Sequence, residues 1–186
     1  RLGFAPLLAL ALALGVSLGV TLAQDALEKS CSLSKYRFLL PHELKAMQSM
    51  RDHFNDIMAP AHRKCHSTLF HRRWSAAKLS VPDRVMLVEA ELDLATAVLE
   101  LPTGPSFAEM HHWPLAFLTQ AQKDLQRCVA VEAPSHQPSG KLRHWLQRLE
   151  KDKKTETAGC LEASAIIHIF QVLDDLRCAA RREQCT

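Results

Sequence analysis

The connections between amphipathic segments restrict the fold of this chain more than any other feature. Four long segments repeat apolar residues every three or four positions, which is the period of a helix packed on one side. The connections between them have roughly 24, 13 and 30 residues, and two long crossovers accompany the up-up-down-down arrangement, whereas an up-and-down bundle needs only short loops. No stretch alternates apolar and polar residues over a useful length. We therefore predict an all-α fold, an up-up-down-down helical bundle.

Six helices are expected when the short ones are counted. Pro41 suits the first turn of the first helix, and Pro60 is expected to end it. Pro114 is expected either to end a short helix or to begin the next long one. In chain order the predicted helices are 41–58, 81–101, a short one from Ser106, 115–129, 141–154 and 159–178.

The last helix, predicted from Gly159 to Cys178, carries two kinds of apolar surface. On a helical wheel one stripe faces the core, and Phe170 lies at its edge. Ile167 falls about a third of a turn away from the stripe, where core packing should not reach. We therefore expect this helix to pack inward and to bind a partner outward. The stripe consists of Ile166, Ile169, Leu173 and Leu176.

The start of the chain resembles a secretory leader. Residues 4–23 are uncharged and dense in Leu, Ala and Val. A run of this length could span a membrane, but its N-terminal position, the basic Arg1 before it and the small Ala23 at its end favour a cleaved signal peptide. Because the chain begins without Met, we expect its extreme N-terminus to be incomplete. We predict a signal peptide at 1–23 and a single domain at 24–186, with no stable membrane insertion after cleavage.

All six cysteines follow the predicted cleavage site, and an even number in a secreted chain indicates three disulfides. In the predicted topology Cys65 follows the first helix and Cys160 begins the last, so both lie at the same end of the bundle. The other four cysteines fall at the opposite end, where three pairings are possible. The simplest of these combines Cys31–Cys128 with a local Cys178–Cys185.

Neither an enzyme nor a metal site is expected, and no cofactor is implied. The sequence has no HExxH, GxSxG or phosphate-binding glycine loop, and the disulfides leave no free thiolate. His111 and His112 are adjacent, so they point to different sides of a helix and do not share one ion. Glu89, Glu91 and Asp93 are interpreted as a solvated acidic face of the second long helix.

The overall charge is nearly balanced, with 23 Lys and Arg against 20 Asp and Glu, and this does not favour nucleic acid as a partner. Two local segments, 62–73 and 141–154, are basic. They could bind heparin-like polyanions or anionic membranes, as in a cationic host-defence protein. The Trp and Leu face of 141–154 would also cover the long crossover, and this structural role is favoured.

Trp74 stands in the first crossover beside Arg72 and Arg73. One interpretation is that the aromatic residues hold a solvated crossover on the bundle. The other is a protein-binding hot spot, since Trp and Arg are enriched there. Both interpretations remain open at this point.

Several segments resemble those of one protein family. GKLRHWLQRLEK at 140–151 and GCLEASAIIHIFQVLDDLRC at 159–178 are similar to the C-terminal half of type III (lambda) interferons. The resemblance continues in the preceding part of the chain and covers essentially all of it after the predicted leader. The matching segments there are CSLSKYRFLLPHELKAMQSMRD at 31–52, CHSTLFHRRW at 65–74, VEAELDLATAVLE at 88–100 and WPLAFLTQAQKDLQRC at 113–128.

The resemblance implies a secreted antiviral cytokine with the class II helical cytokine fold. It implies binding to a heterodimeric receptor, made of the interferon-lambda receptor chain and the interleukin-10 receptor beta chain, and JAK–STAT signalling. A monomer is expected because no helix shows a second full apolar stripe. Another class II cytokine, such as an interleukin-22-like regulator, is the alternative. The disulfides implied by the resemblance are Cys31–Cys128, Cys65–Cys160 and Cys178–Cys185.

In this family the high-affinity receptor surface uses the first helix, the crossover and the last helix. Ile167 joins this set as the outward residue of the last helix, at a position where mammalian members carry phenylalanine. The segment SAAKL after Trp74 is also less polar than their pattern. The receptor-binding residues implied by position are Pro41, Leu44, Gln48, Arg51, Trp74 and Phe170.

Overall fold

The computed structural model describes residues 31–62, 65, 69–101 and 105–185, and the predicted signal peptide at 1–23 lies outside them. The described part of the chain forms six α-helices and three short 3₁₀ turns, with no strand. The all-α prediction is therefore confirmed. The helices are α1 (Pro41–His62), α2 (Val81–Leu99), α3 (Pro105–Glu132), α4 (Gly140–Thr155), α5 (Ala158–Ile167) and α6 (Ile169–Arg181).

Two prolines interrupt the helices less than the sequence suggests. α1 continues past Pro60 to its end at His62. Pro114 lies inside α3, so the short helix expected before it and the long helix after it are one element. An internal proline removes one backbone hydrogen bond. Here the buried side chains of His111 and Leu118 hold the helix on the core on both sides of Pro114.

The predicted last helix is divided at His168, whose backbone leaves the helical conformation with φ −95° and ψ 11°. Hydrogen bonds nevertheless cross this point. The His168 amide donates to the carbonyl oxygen of Ser164, and its own carbonyl oxygen accepts from the amide of Val172, both at 3.1 Å. α5 and α6 therefore follow one another as two halves of the expected helix, with a local change at the junction.

Contacts between helix ends give the direction of each helix. The disulfide Cys31–Cys128 joins the segment before α1 to the end of α3, and Cys65–Cys160 joins the segment after α1 to the start of α5. α1 is therefore antiparallel to α3 and to the α5–α6 pair. The third disulfide, Cys178–Cys185, closes the end of α6 locally.

The start of α2 likewise meets the ends of α3 and α6. Asp83 in its first turn accepts a hydrogen bond from the Ser139 amide, beyond the end of α3, at 3.2 Å. Arg84 donates to the carbonyl oxygen of Arg182, which follows α6. α1 and α2 thus run in one direction while α3 and α5–α6 run in the other, which is the up-up-down-down arrangement.

α2 is the central helix, packed against α3, α4, α5 and α6. Its side chains are buried nearly all round, including the polar Arg84, Glu91 and Thr96. The predicted core stripe of the last helix, namely Ile166, Ile169, Leu173 and Leu176, is fully buried. On α4 the Trp and Leu face is buried as well, through Leu142, Trp145 and Leu149. The structural role favoured for that face is confirmed.

Candidate functional site

The four residues expected on α1 lie three or four positions apart, so they share one side of the helix. Pro41 and Gln48 are exposed, whereas Leu44 and Arg51 are half-buried. Leu44 packs against the hydrophobic core. The helix start is fixed by the Glu43 carboxylate, which accepts a hydrogen bond from the Leu40 amide at 2.9 Å, as in a capping box.

Arg51 and Phe170 connect this side of α1 to α6. The guanidinium carbon of Arg51 lies 4.6 Å from the centroid of the Phe170 ring, which is cation–π geometry. Phe170 is half-buried and packs against the core with its remaining surface. The structure therefore brings together one predicted residue of the first helix and one of the last.

Ile167 is the last residue of α5, and its side chain is 49% exposed. This is the outward orientation that the helical wheel predicts. The next residue, His168, stacks on Phe70 of the crossover with the ring centroids 5.5 Å apart. The side-chain Nε2 of Gln171 donates a hydrogen bond to the Phe70 carbonyl oxygen at 2.9 Å. The crossover is therefore seated along the junction of α5 and α6.

Trp74 is half-buried, and Arg72 holds it in two ways. The guanidinium carbon of Arg72 lies 5.0 Å from the centroid of the indole ring, and its Nη1 donates to the carbonyl oxygen of Trp74 at 3.0 Å. The same guanidinium group forms ion pairs with Asp175 of α6 and, at 3.6 Å, with Glu91 of α2. Arg72 thus links the crossover to two helices and holds the indole ring in place.

Glu91 corrects the interpretation of the acidic residues of α2 as a solvated face, because its side chain is completely buried. Burial raises the pKa of Glu91, and the nearby Asp175 carboxylate raises it further. Burial also raises the pKa of Asp175, although Arg72 acts in the opposite direction. Two buried carboxyl groups therefore share one arginine. Local sequence did not reveal this cluster because its cation comes from the crossover.

The Trp74 ring borders a groove of about 550 Å³ between the crossover and α6, lined also by Arg73, Gln171 and Asp174. Gln171 lines this groove and directly follows Phe170 on α6, so the two side chains point to adjacent sides of the helix. The Trp74 groove and the Arg51–Phe170 contact are therefore neighbouring parts of the outer surface of α6. We call the two parts together with Ile167 the α1–α6 surface.

A second exposed apolar area, which the sequence reasoning missed, lies where the segment before α1 meets α3. Phe38, Leu40 and Trp113 are 75%, 52% and 41% exposed. Trp113 stacks on Phe117 with centroids 6.3 Å apart, and His42 meets the edge of Trp113 at 5.5 Å. We call this the Phe38–Trp113 surface. A sequence signal existed, since Phe38 and Trp113 lie off the core stripes.

Buried polar contacts fix the segment that carries Phe38. Tyr36 donates a hydrogen bond to the Asp124 carboxylate at 2.6 Å, and Lys35 forms an ion pair with it at 2.7 Å. Burial and the Asp124 hydrogen bond raise the pKa of Tyr36. Burial alone would raise the pKa of Asp124, but hydrogen bonds from Lys35 and Tyr36 hold it below its usual value. The second surface is therefore preorganised.

Both surfaces combine exposed or half-buried aromatic side chains with charged neighbours. In the described ranges, no cluster of three or more His, Cys, Asp or Glu side chains could hold a metal ion. No helix in that part of the chain is both long enough and apolar enough to cross a membrane. Such surfaces are suited to protein recognition, in which exposed aromatic side chains and arginine carry much of the binding energy.

Known proteins similar to this chain match it over almost the whole described region, and all of those compared belong to one cytokine family. The Interleukin-28A family model matches residues 28–182. The chain is 67% identical over 159 residues to interferon lambda-3 of Gallus gallus, covering 86% of each chain. It is 34% identical over 160 residues to interferon lambda-2 of Mus musculus, covering 84% of this chain and 83% of the relative. Interferon lambda-1 of Homo sapiens is 34% identical over 159 residues, covering 84% and 80%. The chain therefore belongs to the type III (lambda) interferon family, whose members are cytokines and not enzymes.

Proposed function

We propose that this protein is a secreted antiviral cytokine that assembles a heterodimeric cell-surface receptor and triggers JAK–STAT signalling. The two receptor subunits are the interferon-lambda receptor chain and the interleukin-10 receptor beta chain. The observation that carries the proposal is family membership over residues 28–182, joined to two separate preformed surfaces on the bundle. A cytokine that brings two different receptor chains together needs two such surfaces.

The α1–α6 surface is proposed to bind the interferon-lambda receptor chain. It includes four of the seven residues expected to bind a receptor, namely Arg51, Trp74, Ile167 and Phe170. Pro41, Leu44 and Gln48, on the same side of α1 as Arg51, are proposed to extend it along that helix. The Arg51–Phe170 contact and the contact of Arg72 with the indole ring form within the protein itself, without a partner. Aromatic residues already held in place lower the entropy cost of association. This agrees with the proposal that the interferon-lambda receptor chain is bound with the higher affinity.

The Phe38–Trp113 surface is proposed to bind the interleukin-10 receptor beta chain. Its exposed apolar side chains are contiguous through Trp113 and Phe117, and contiguous exposed apolar area indicates an interaction site. It lies on the segment before α1 and on α3, whereas the α1–α6 surface includes α6 and the crossover. Two receptor chains could therefore bind the same monomer together.

Secretion is the remaining part of the proposal. The leader at 1–23 is proposed to direct export, leaving a single domain at 24–186. Three disulfides in the described structure are typical of proteins that fold in an oxidising compartment. N-terminal sequencing of the protein released by expressing cells would identify the cleavage site; retention of residues 1–23 on the secreted protein would contradict it.

The deciding experiment is an interferon-responsive reporter in epithelial cells that have or lack the interferon-lambda receptor chain. Purified protein is expected to activate the reporter only in cells that have both the interferon-lambda receptor chain and the interleukin-10 receptor beta chain. An equal response without the interferon-lambda receptor chain would overturn the proposal. A response through another ligand-specific chain would instead support the interleukin-22-like alternative.

A further inference from the structure

Two basic segments that are far apart in the sequence line one cleft. Its walls come from the crossover, through His71 and Arg73, and from α4, through Lys141, His144 and Arg148. The cleft has a volume of about 340 Å³. None of its lining residues is a carboxylate, although Asp and Glu make up 20 residues of the chain. The cleft is therefore a concentrated region of positive charge.

The cleft walls are held together by contacts of their own. The guanidinium group of Arg148 donates a hydrogen bond from α4 to the carbonyl oxygen of His71 in the crossover. Trp145 is buried beneath the walls at the centre of the α4 contact. Ser139 caps the start of α4 by accepting from the Leu142 amide at 3.4 Å. The cationic side chains thus project from a packed framework.

The positive charge of this cleft is not neutralised by the protein. Arg72, at its edge, is paired with Asp175 and Glu91. By contrast, Arg73, Lys141 and Arg148 have no carboxylate within ion-pair distance in the part of the chain that the structure describes. An anionic ligand would supply the missing counter-charge.

The spacing on α4 matches an extended ligand better than a single ion. Lys141, His144 and Arg148 are three and four positions apart, so they form a row on one side of the helix. At 1.5 Å rise per residue the row spans about 10 Å. Arg73 lies on the opposite wall of the cleft. A linear polymer with anionic groups along its length could contact several of these cations together.

We propose that this cleft binds a sulfated glycosaminoglycan chain. An anionic membrane fits less well, because the apolar face of α4 is buried in the bundle and a surface helix needs a free apolar face to enter a bilayer. Single-stranded nucleic acid fits less well too. It needs open aromatic faces for base stacking, and the Trp74 ring at the cleft is held by the Arg72 guanidinium group.

Heparin octasaccharide binding to the purified protein tests the proposal. Arg73→Ala combined with Lys141→Ala removes two exposed cations of the cleft. Lys123→Ala combined with Arg181→Ala removes the same charge from exposed positions elsewhere. The cleft variant is expected to bind heparin at least about tenfold more weakly at physiological salt. The slope of log Kd against log salt should fall by roughly two, one for each lost ion contact.

The control variant should keep wild-type affinity within about twofold, because its lost charges lie outside the cleft and act only through screened long-range attraction. Equal weakening of both variants would overturn the proposal, since it would show that net charge alone attracts heparin. Circular dichroism and the thermal midpoint of both variants report whether the fold is intact. Single substitutions at Arg73 and Lys141 provide a second series if the double variant is unstable.

Ligand class is tested with three further probes at matched charge concentration. Unsulfated hyaluronan octasaccharide, phosphatidylserine vesicles and a single-stranded oligonucleotide should all bind more weakly than heparin. Tighter binding of the vesicles or the oligonucleotide, with the same dependence on Arg73 and Lys141, would overturn the assignment to glycosaminoglycan. These assays contain no receptor, so their outcome is independent of the proposed signalling function.

Discussion

The guanidinium group of Arg51 in α1 lies over the ring of Phe170 in α6, with 4.6 Å between its carbon and the ring centroid. This contact makes one expected receptor-binding residue the support of another. It also spans two helices that are separated by most of the chain. A partner that contacts this pair therefore recognises the folded bundle and not a single segment.

Phe170→Ala and Trp74→Ala are each expected to weaken binding of the interferon-lambda receptor chain by at least about tenfold, because truncation of an aromatic hot spot commonly costs 2 kcal/mol or more. Surface plasmon resonance with the immobilised receptor chain measures the effect. Helical circular dichroism should remain that of the wild type. Val131→Ala, an exposed apolar residue at the far end of α3, is the matched control. Unchanged affinity in both aromatic variants would refute the α1–α6 surface.

Trp113→Ala is expected to separate receptor binding from receptor assembly. Its side chain belongs to the Phe38–Trp113 surface and does not line the Trp74 groove. Affinity for the interferon-lambda receptor chain should stay the same, while the concentration needed for half-maximal reporter activity should rise at least about tenfold. Leu101→Ala, another exposed apolar residue, should change neither. A loss of affinity for the first chain would show that the two surfaces are not independent.

Arg72→Ala is expected to lower the free energy of unfolding by about 3–5 kcal/mol, because it leaves the buried Glu91 and Asp175 without their cation. Arg73→Ala, one position further on and exposed, should change it by no more than about 0.5 kcal/mol. Urea unfolding followed by circular dichroism measures both. Adding Glu91→Gln to Arg72→Ala should recover part of the loss. If the two substitutions were simply additive, the proposed coupling would be wrong.

Removal of the Cys65–Cys160 disulfide should destabilise the protein more than removal of Cys178–Cys185. The two bonds close loops with sequence separations of 95 and 7. Chain-entropy estimates for such loops are about 4.7 and about 2.4 kcal/mol. Paired Cys→Ala variants, compared by thermal or urea unfolding, test this order. The reverse order would mean that the local contacts of Cys178 outweigh loop entropy.

Stability should fall as the pH is lowered through the ordinary histidine range, in part because of His111. Burial lowers the pKa of His111, and the nearby His53 lowers it further. The folded state then binds fewer protons than the unfolded state, so the contribution is present above about pH 6.5 and declines below it. His111→Gln should show a flatter profile than the wild type between pH 7.5 and 5.5, measured by urea unfolding.

The neighbouring His112→Gln removes an exposed imidazole and serves as the control for this profile. The raised pKa values of Glu89, Glu91, Glu162 and Asp175 act with the opposite sign, since these carboxyl groups stabilise the fold as they take up protons. They are the same in all three proteins and cancel in the comparison. Parallel profiles for the wild type and His111→Gln would contradict the prediction.

The sequence was sufficient for the all-α fold, the direction of the helices and the core stripe of the last helix, because period and connection length are local properties. Glu91 is a residue whose environment local sequence could not predict. Its neighbours in the sequence give no sign that Arg72 of the crossover reaches it, so an acidic residue of the helix appeared solvated. Pro114 and His168 show a second limit. Packing on both sides keeps α3 continuous at the proline, while stacking on Phe70 accompanies the interruption at His168.

The way in which Trp74 is held has a consequence for how this protein can diverge. Arg72 contacts both the indole ring and the backbone carbonyl of Trp74, and it forms ion pairs with carboxyl groups of two helices. Exposed neighbours such as Arg73 and Ser75 take no part in that support. Substitutions at these neighbours would therefore change the lining of the Trp74 groove while the tryptophan keeps its place.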